Sequence, residues 1–188
     1  MAKTDNRIKY TKMVLKKAIL KILQEKPIDK ITIKELCEEA DINRGTFYLH
    51  YNTPYELLKE IENEFIEENL SYFSPYMQSG YEMSHLESMF ACILQNGEMC
   101  KILMGRNGDP QMMESLRLMM KDGVVDDWQK EFPNYSRENL SYVFDFVFPG
   151  AMQLILNWID NNEGLSTEDL ARRLDRLGHY CHLAIEEF

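Results

Sequence analysis

Residues 32–58 read Thr-Ile-Lys-Glu-Leu-Cys-Glu-Glu-Ala-Asp-Ile-Asn-Arg-Gly-Thr-Phe-Tyr-Leu-His-Tyr-Asn-Thr-Pro-Tyr-Glu-Leu-Leu, and their order decides the architecture. Thr32 with Glu35 three residues on is a capping box, a pair that satisfies the free N–H groups at a helix start. Ile33, Leu36, Cys37 and Ala40 then recur at helical spacing, giving a short helix one apolar face. Asp41-Ile42-Asn43 interrupts the pattern. Asp41 tolerates the left-handed backbone of a tight turn, and Asn43 is a good cap for another helix of about two turns. A second box follows directly. Thr53 is the cap, Pro54 takes the first helical position, where its missing N–H costs nothing, and Glu56 sits at the third. From there Leu57, Leu58, Ile61 and Phe65 carry a long helix up to Ser74-Pro75.

Upstream, Ile8 to Glu25 places Leu15, Ala18, Ile19 and Ile22 on one stripe, and Pro27 ends that helix. Two short helices joined by a tight turn, behind a supporting helix, make a helix-turn-helix. Phe47 and Tyr51, one turn apart, are placed to anchor the second short helix from behind. Arg44, Gly45, Thr46, Tyr48 and His50 then point elsewhere. Arginine suits guanine edges, threonine and tyrosine hydroxyls suit phosphates, and glycine lets a backbone come close. Six lysines from Lys9 to Lys26, after Lys3 and Arg7, add sequence-independent attraction for phosphate.

The stretch resembles the signature of the TetR family of transcriptional regulators, most specifically in Gly45-Thr46-Phe47-Tyr48-Leu49-His50-Tyr51 and in Leu57-Leu58. The likeness is strong over residues 8–60 and general beyond. It implies that Lys34, Arg44 and Thr46 approach bases, and that Thr32, Tyr48 and His50 meet phosphates. Two positions depart from the family pattern. Asp41 replaces the usual turn glycine, and Pro54 stands where a phosphate-binding lysine is common. The C-terminal half resembles regulators of the dihydroxyacetone-kinase activator kind, through Asn96-Gly97-Glu98, Met104 to Asp109, Pro149-Gly150 and Leu156-Asn157-Trp158-Ile159.

Beyond Pro75 the reading stays helical. Helices are expected over about 85–96, 98–104, 110–122 and 124–131, with Gly105 to Asp109 as a turn. Ser136 caps a long apolar helix to about Asn161 with Pro149-Gly150 as a kink, and Ser166 with Asp169 opens the last helix. On that last helix Leu170, Leu174, Leu177, Cys181 and Ala184 share a face. The expected fold is all-α with about nine helices: a DNA-binding domain over 1–53 and a helical effector-binding and dimerisation domain over 54–188.

Composition agrees with this division. Residues 1–52 hold 11 basic against 7 acidic side chains, while residues 53–188 hold 10 against 24. A head of net charge +4 on a body of −14 is the asymmetry of a DNA reader with a separate sensor. No uncharged apolar run reaches the length of about 18 residues that a membrane span needs. The stretch Met-Ala-Lys-Thr-Asp lacks the apolar run of a secretory signal and the four cysteines are scattered, so the expected setting is the reduced cytoplasm. His179, Cys181 and His182 lack further ligands at zinc spacing. The Gly105–Gly108 pair lacks the strand and Gly-Lys-Ser/Thr of a phosphate loop. No catalytic constellation and no cofactor is implied.

The expected function is therefore a sequence-specific repressor that binds a roughly palindromic double-stranded operator as a homodimer. An unknown small-molecule effector or partner protein modulates it, with no role for a membrane. The last two long helices, with Phe144, Phe148, Leu170 and Leu177, are expected to form the dimer contact. Ten of the twelve methionines lie beyond residue 76 and, with Phe90, Trp128, Phe144, Phe148 and Trp158, are candidates for a pliable pocket. The alternative is a helical adaptor or co-activator that binds no operator on its own.

Overall fold

The computed structural model describes residues 2–78, 90, 92–161 and 164–183, and among these every regular element is helical. Eight α-helices are defined: α1 (Ala2–Leu23), α2 (Ile33–Glu39), α3 (Arg44–Tyr48), α4 (Pro54–Gln78), α5 (Gly97–Met104), α6 (Pro110–Glu131), α7 (Arg137–Asp160) and α8 (Thr167–Leu183). A 3-10 turn, Ile28–Lys30, joins α1 to α2. Of the helix expected over 85–96, Phe90 and residues 92–95 are helical, Asn96 is a turn, and residues 85–89 and 91 lie outside the described residues.

The chain divides into two compact units. The first is residues 1–68 with 102–112, and the second is 69–101 with 113–188. In the first, the α1 stripe Leu15, Ala18, Ile19 and Ile22 is buried together with Leu36, Cys37, Phe47, Leu57, Leu58 and Ile61. The turn after α5 belongs to this unit. Ile28 N–H donates to the Asn107 carbonyl at 3.2 Å, which ties that turn to the start of the helix-turn-helix. Gly108 lets the turn fold back tightly on the end of α5: a Cβ there would lie 2.0 Å from the Leu103 carbonyl oxygen. Glycine is thus used for close packing, and the Gly105–Asp109 segment is a structural turn.

In the second unit the buried residues Leu140, Val143, Phe144, Phe148, Ile155 and Trp158 form one side of α7. Phe144 stacks on Phe148 at 5.4 Å and lies 6.2 Å from Trp128. Leu170 and Ala171 are buried on α8, and the Trp158 indole donates to the Leu165 carbonyl at 2.8 Å across the α7–α8 turn. Asn69, Cys92 and Asn96 form an internal polar cluster, the Cys92 thiol donating to Asn69 Oδ1 at 2.8 Å. Ion pairs from Arg117 and Lys121 on α6 to Asp145 on α7 close the exposed side.

Several expectations need correction. The long helix expected to stop at Ser74-Pro75 runs through Pro75 to Gln78 as α4. The helices expected over 110–122 and 124–131 are one helix, because an isolated glycine such as Gly123 weakens a helix by only about 1 kcal/mol and packing of Val125 outweighs it. Phe144, Phe148 and Leu170 are in the chain's own core rather than on a free face. The exposed side of α7 instead carries Tyr142 and Phe146 (76% exposed), since residues two apart on a helix point to nearly opposite sides. Leu177 does not join Leu170 in the core but is 51% exposed. Finally, α7 is long and apolar enough to cross a membrane by length and composition, although no wholly uncharged run exists.

Substituting Gly108→Ala should force the turn away from the end of α5, because the backbone of Leu103 and Ile102 rather than a flexible side chain blocks the new methyl. The expected cost is at least the roughly 1–3 kcal/mol of an overpacked site, read as a lowered midpoint in thermal unfolding.

Candidate nucleic-acid interface

The two short helices are set by side-chain caps. Thr32 Oγ1 accepts the Glu35 N–H at 3.2 Å, and Asn43 Oδ1 accepts the Thr46 N–H at 2.8 Å. The reciprocal half of the first box is absent: the Glu35 carboxylate is taken by Lys26 at 2.5 Å. The second box closes one residue early, with Glu56 accepting from the Asn52 N–H at 2.8 Å. Between α2 and α3 Asp41 has φ 53°, the left-handed conformation expected at the turn position. α3 itself is five residues long, shorter than the two turns expected, because the backbone tightens at Leu49 and His50.

With Asp41 and Asn43 setting the entry angle, Phe47 points wholly inward and Tyr51 follows it, ring centroids 5.9 Å apart. The other side of α3 is then open. Arg44, Gly45 and Tyr48 are exposed, and Thr46 and His50 are half-buried. Thr46 Oγ1 also donates to Asn43 Oδ1 at 3.1 Å, so its hydroxyl is oriented by the cap. A Cβ at Gly45 would meet only the Asn43 side chain, at 3.2 Å. Thr32 and Lys34 are exposed at the start of α2. Lys34 lies 3.8 Å from Glu38, a solvent-exposed pair of the kind that holds a side chain weakly. No described residue forms an ion pair with Arg44.

The lysines expected to attract phosphate are mostly engaged elsewhere. Lys12 and Lys16 on α1 bind Glu60 on α4 at 2.7 and 2.8 Å, and Lys16 also reaches Glu64 at 2.6 Å. Lys21 pairs with Glu39, and Lys26 with Glu35. The Lys12 ammonium lies 5.4 Å from the Tyr51 ring centroid, adding a cation–π contact to the anchor of α3. Burial alone would raise the Glu60 carboxyl, but hydrogen bonds from Lys12 and Lys16 hold it down at about 2. Burial, and the nearby Glu60 carboxylate, push the Tyr51 hydroxyl above the ordinary tyrosine range.

Glu60 is the organising residue that motif reading missed. Its signal was present in the charge register: Lys12 and Lys16 are one turn apart on α1, as Glu60 and Glu64 are on α4. Leu49 was also passed over. At 80% exposed it is the most open large apolar side chain among the described residues of the head, and it lies at the end of α3.

Comparison with known proteins agrees with this geometry. Residues 15–61 match the family of bacterial regulatory proteins, tetR family, and residues 83–180 match the transcriptional regulator C-terminal region of the same family. The chain belongs to the TetR family of transcriptional regulators. Its fold is that of a TetR regulator from Streptococcus agalactiae 2603V, with TM-score 0.70 and 21% identity over 93% of this chain and 97% of that one. A 47-residue stretch is 34% identical to the HTH-type transcriptional regulator YxbF of Bacillus subtilis (strain 168), covering 25% of this chain and 12% of that protein. The dihydroxyacetone kinase operon activator DhaS overlays at TM-score 0.49 and 20% identity, over 90% of this chain and 94% of that one. That level of likeness singles out no branch within the family. As a TetR-family member the chain is a DNA-binding transcriptional regulator and not an enzyme.

The Glu60 pairs give a pH signature. A carboxyl held below its ordinary value stabilises the fold fully above about pH 4.5, and this is lost as pH falls toward about 2. Glu60→Gln should therefore lower the melting midpoint near pH 7. The gap to wild type should close on acidification through that window, as followed by circular dichroism.

Proposed function

We propose that this TetR-family protein represses transcription by binding, as a homodimer, a roughly palindromic operator in cytoplasmic DNA. Arg44, Thr46 and Lys34 read base edges. Thr32, Tyr48 and His50 contact phosphates, and Gly45 admits the backbone. The observation that carries this reading is the exposed first turn of α3, with Arg44 outward and no ion pair to a described residue, on a helix fixed from behind by Phe47 and Tyr51. Pro54 removes one lysine contact common in the family, while the rest of the site remains.

A second copy is the partner best suited to α7 and α8. Tyr142, Phe146 and Leu154 are exposed on α7, and Leu177 and Tyr180 on α8. Tyr142 and Phe146, one turn apart, would offer a second copy an apolar surface. A two-fold contact through it would bury the apolar side of α7, the helix whose composition alone would also suit a bilayer, and Asp145 with its ion pairs favours the protein partner. The paired recognition helices would enter successive major grooves roughly 34–36 Å apart. An apolar small molecule or a partner protein that prefers one arrangement of the heads shifts operator affinity by that difference in binding.

Selection of bound duplexes from a random pool tests the reading, with wild type and Arg44→Ala side by side. Wild type should enrich a two-fold-symmetric site. The variant should lose roughly 1–3 kcal/mol of discrimination at one base pair per half-site. Failure of wild type to enrich any sequence at moderate salt would favour an adaptor that does not bind operator by itself.

A further inference from the structure

The outward face of α1 is a second nucleic-acid contact, we propose, formed by Arg7, Tyr10 and Lys17 and fitted to the phosphate backbone of duplex DNA. The proposal rests on the operator-binding reading above. Residues 1–24 contain seven cations and a single acid, Asp5. The structure sorts those cations by direction. Lys12 and Lys16 turn toward α4 and are held by Glu60 and Glu64, and Lys21 is held by Glu39. Arg7 and Lys17 are exposed, and neither side chain has an ion pair or hydrogen bond to a described residue.

These two cations share a face. Arg7, Tyr10, Val14, Lys17 and Lys21 follow at i, i+3, i+7, i+10 and i+14, a run of about 21 Å along the helix. Tyr10, 63% exposed, stands between Arg7 and Lys17 with a hydroxyl suited to phosphate oxygen. Residues 2–14 precede the segment that matches the family's DNA-binding module, yet they continue α1 without a break. More than three turns of helix therefore extend from the module, and residues 6–10 are all exposed. Burial in the fold does not account for residues 6–10, although Lys12 beyond them packs on Glu60 and Tyr51. A face of one sign repels a second copy of itself, whereas a polyanion is its complement. The acids that neutralise the inner lysines make the selection sharper, because among the described cations of α1 to α4 those left without an ion pair, Arg7, Lys17 and Arg44, lie on this face and on the first turn of α3.

The test compares wild type, Arg7→Ala/Lys17→Ala and Arg44→Ala on two duplexes, one of fixed random sequence and one carrying the selected site. Affinity is measured as a function of salt concentration. Each lost phosphate contact flattens the slope of log K against log salt by about 0.9, so the double variant should flatten it by about two on both duplexes. Its preference for the selected site should be unchanged, while Arg44→Ala reduces that preference. Both substituted positions are exposed and alanine favours helix, so unchanged melting confirms that the fold is intact. A double-variant slope equal to wild type overturns the proposal. A flattened slope with no wild-type preference between duplexes would overturn the operator reading alone. Wild-type binding to neither duplex would overturn both.

Discussion

A helix of five residues has no stability of its own, since an isolated helix in water is marginal even at about 12–15 residues. α3 exists because Phe47 is wholly buried and Tyr51 follows it into the same core, with Asn43 capping the other end. Everything the head can do with DNA depends on that burial. Anchoring the helix by two aromatic side chains leaves its opposite side unconstrained, and that side carries Arg44, Gly45 and Tyr48. The turn before it needs a left-handed residue, and Asp41 supplies one at a modest cost relative to glycine.

The second constraint is electrostatic. A head rich in lysine would repel itself if all its cations were left open. Lys12 and Lys16 are instead drawn onto Glu60 and Glu64, which fastens α1 to α4, and Lys12 also faces the ring of Tyr51. Lysines of α1 thus help to hold the recognition helix in place. The turn at Gly108 adds a further tie, bringing a segment from beyond residue 101 into the compact unit that contains the helix-turn-helix. Strain in that segment is therefore felt directly by the residues around Ile28.

Much of this was legible in the sequence because the signals were local. Caps at Thr32, Asn43, Ser136 and Ser166 mark helix starts through hydrogen bonds spanning three residues, and all four form. The apolar stripe of α1 and the anchors of α3 follow from helical spacing alone. What failed was what spacing cannot carry. Gly123 reads as a break, yet tertiary packing keeps α6 continuous. The apolar residues of α7 are nearly all around the helix, so periodicity could not tell that Phe144 and Phe148 face the core and Phe146 faces out. Glu60 lies 48 residues from Lys12, and no short motif joins them.

The central claim is that two recognition helices, one from each of two identical chains, engage one operator. Hydroxyl-radical footprinting of wild type on its selected duplex tests this most directly. The account predicts two equally protected patches related by a two-fold axis, with centres one helical turn, roughly 10–10.5 base pairs, or a whole multiple of it apart. A single protected patch without symmetry, on a duplex that the protein does select, would contradict it.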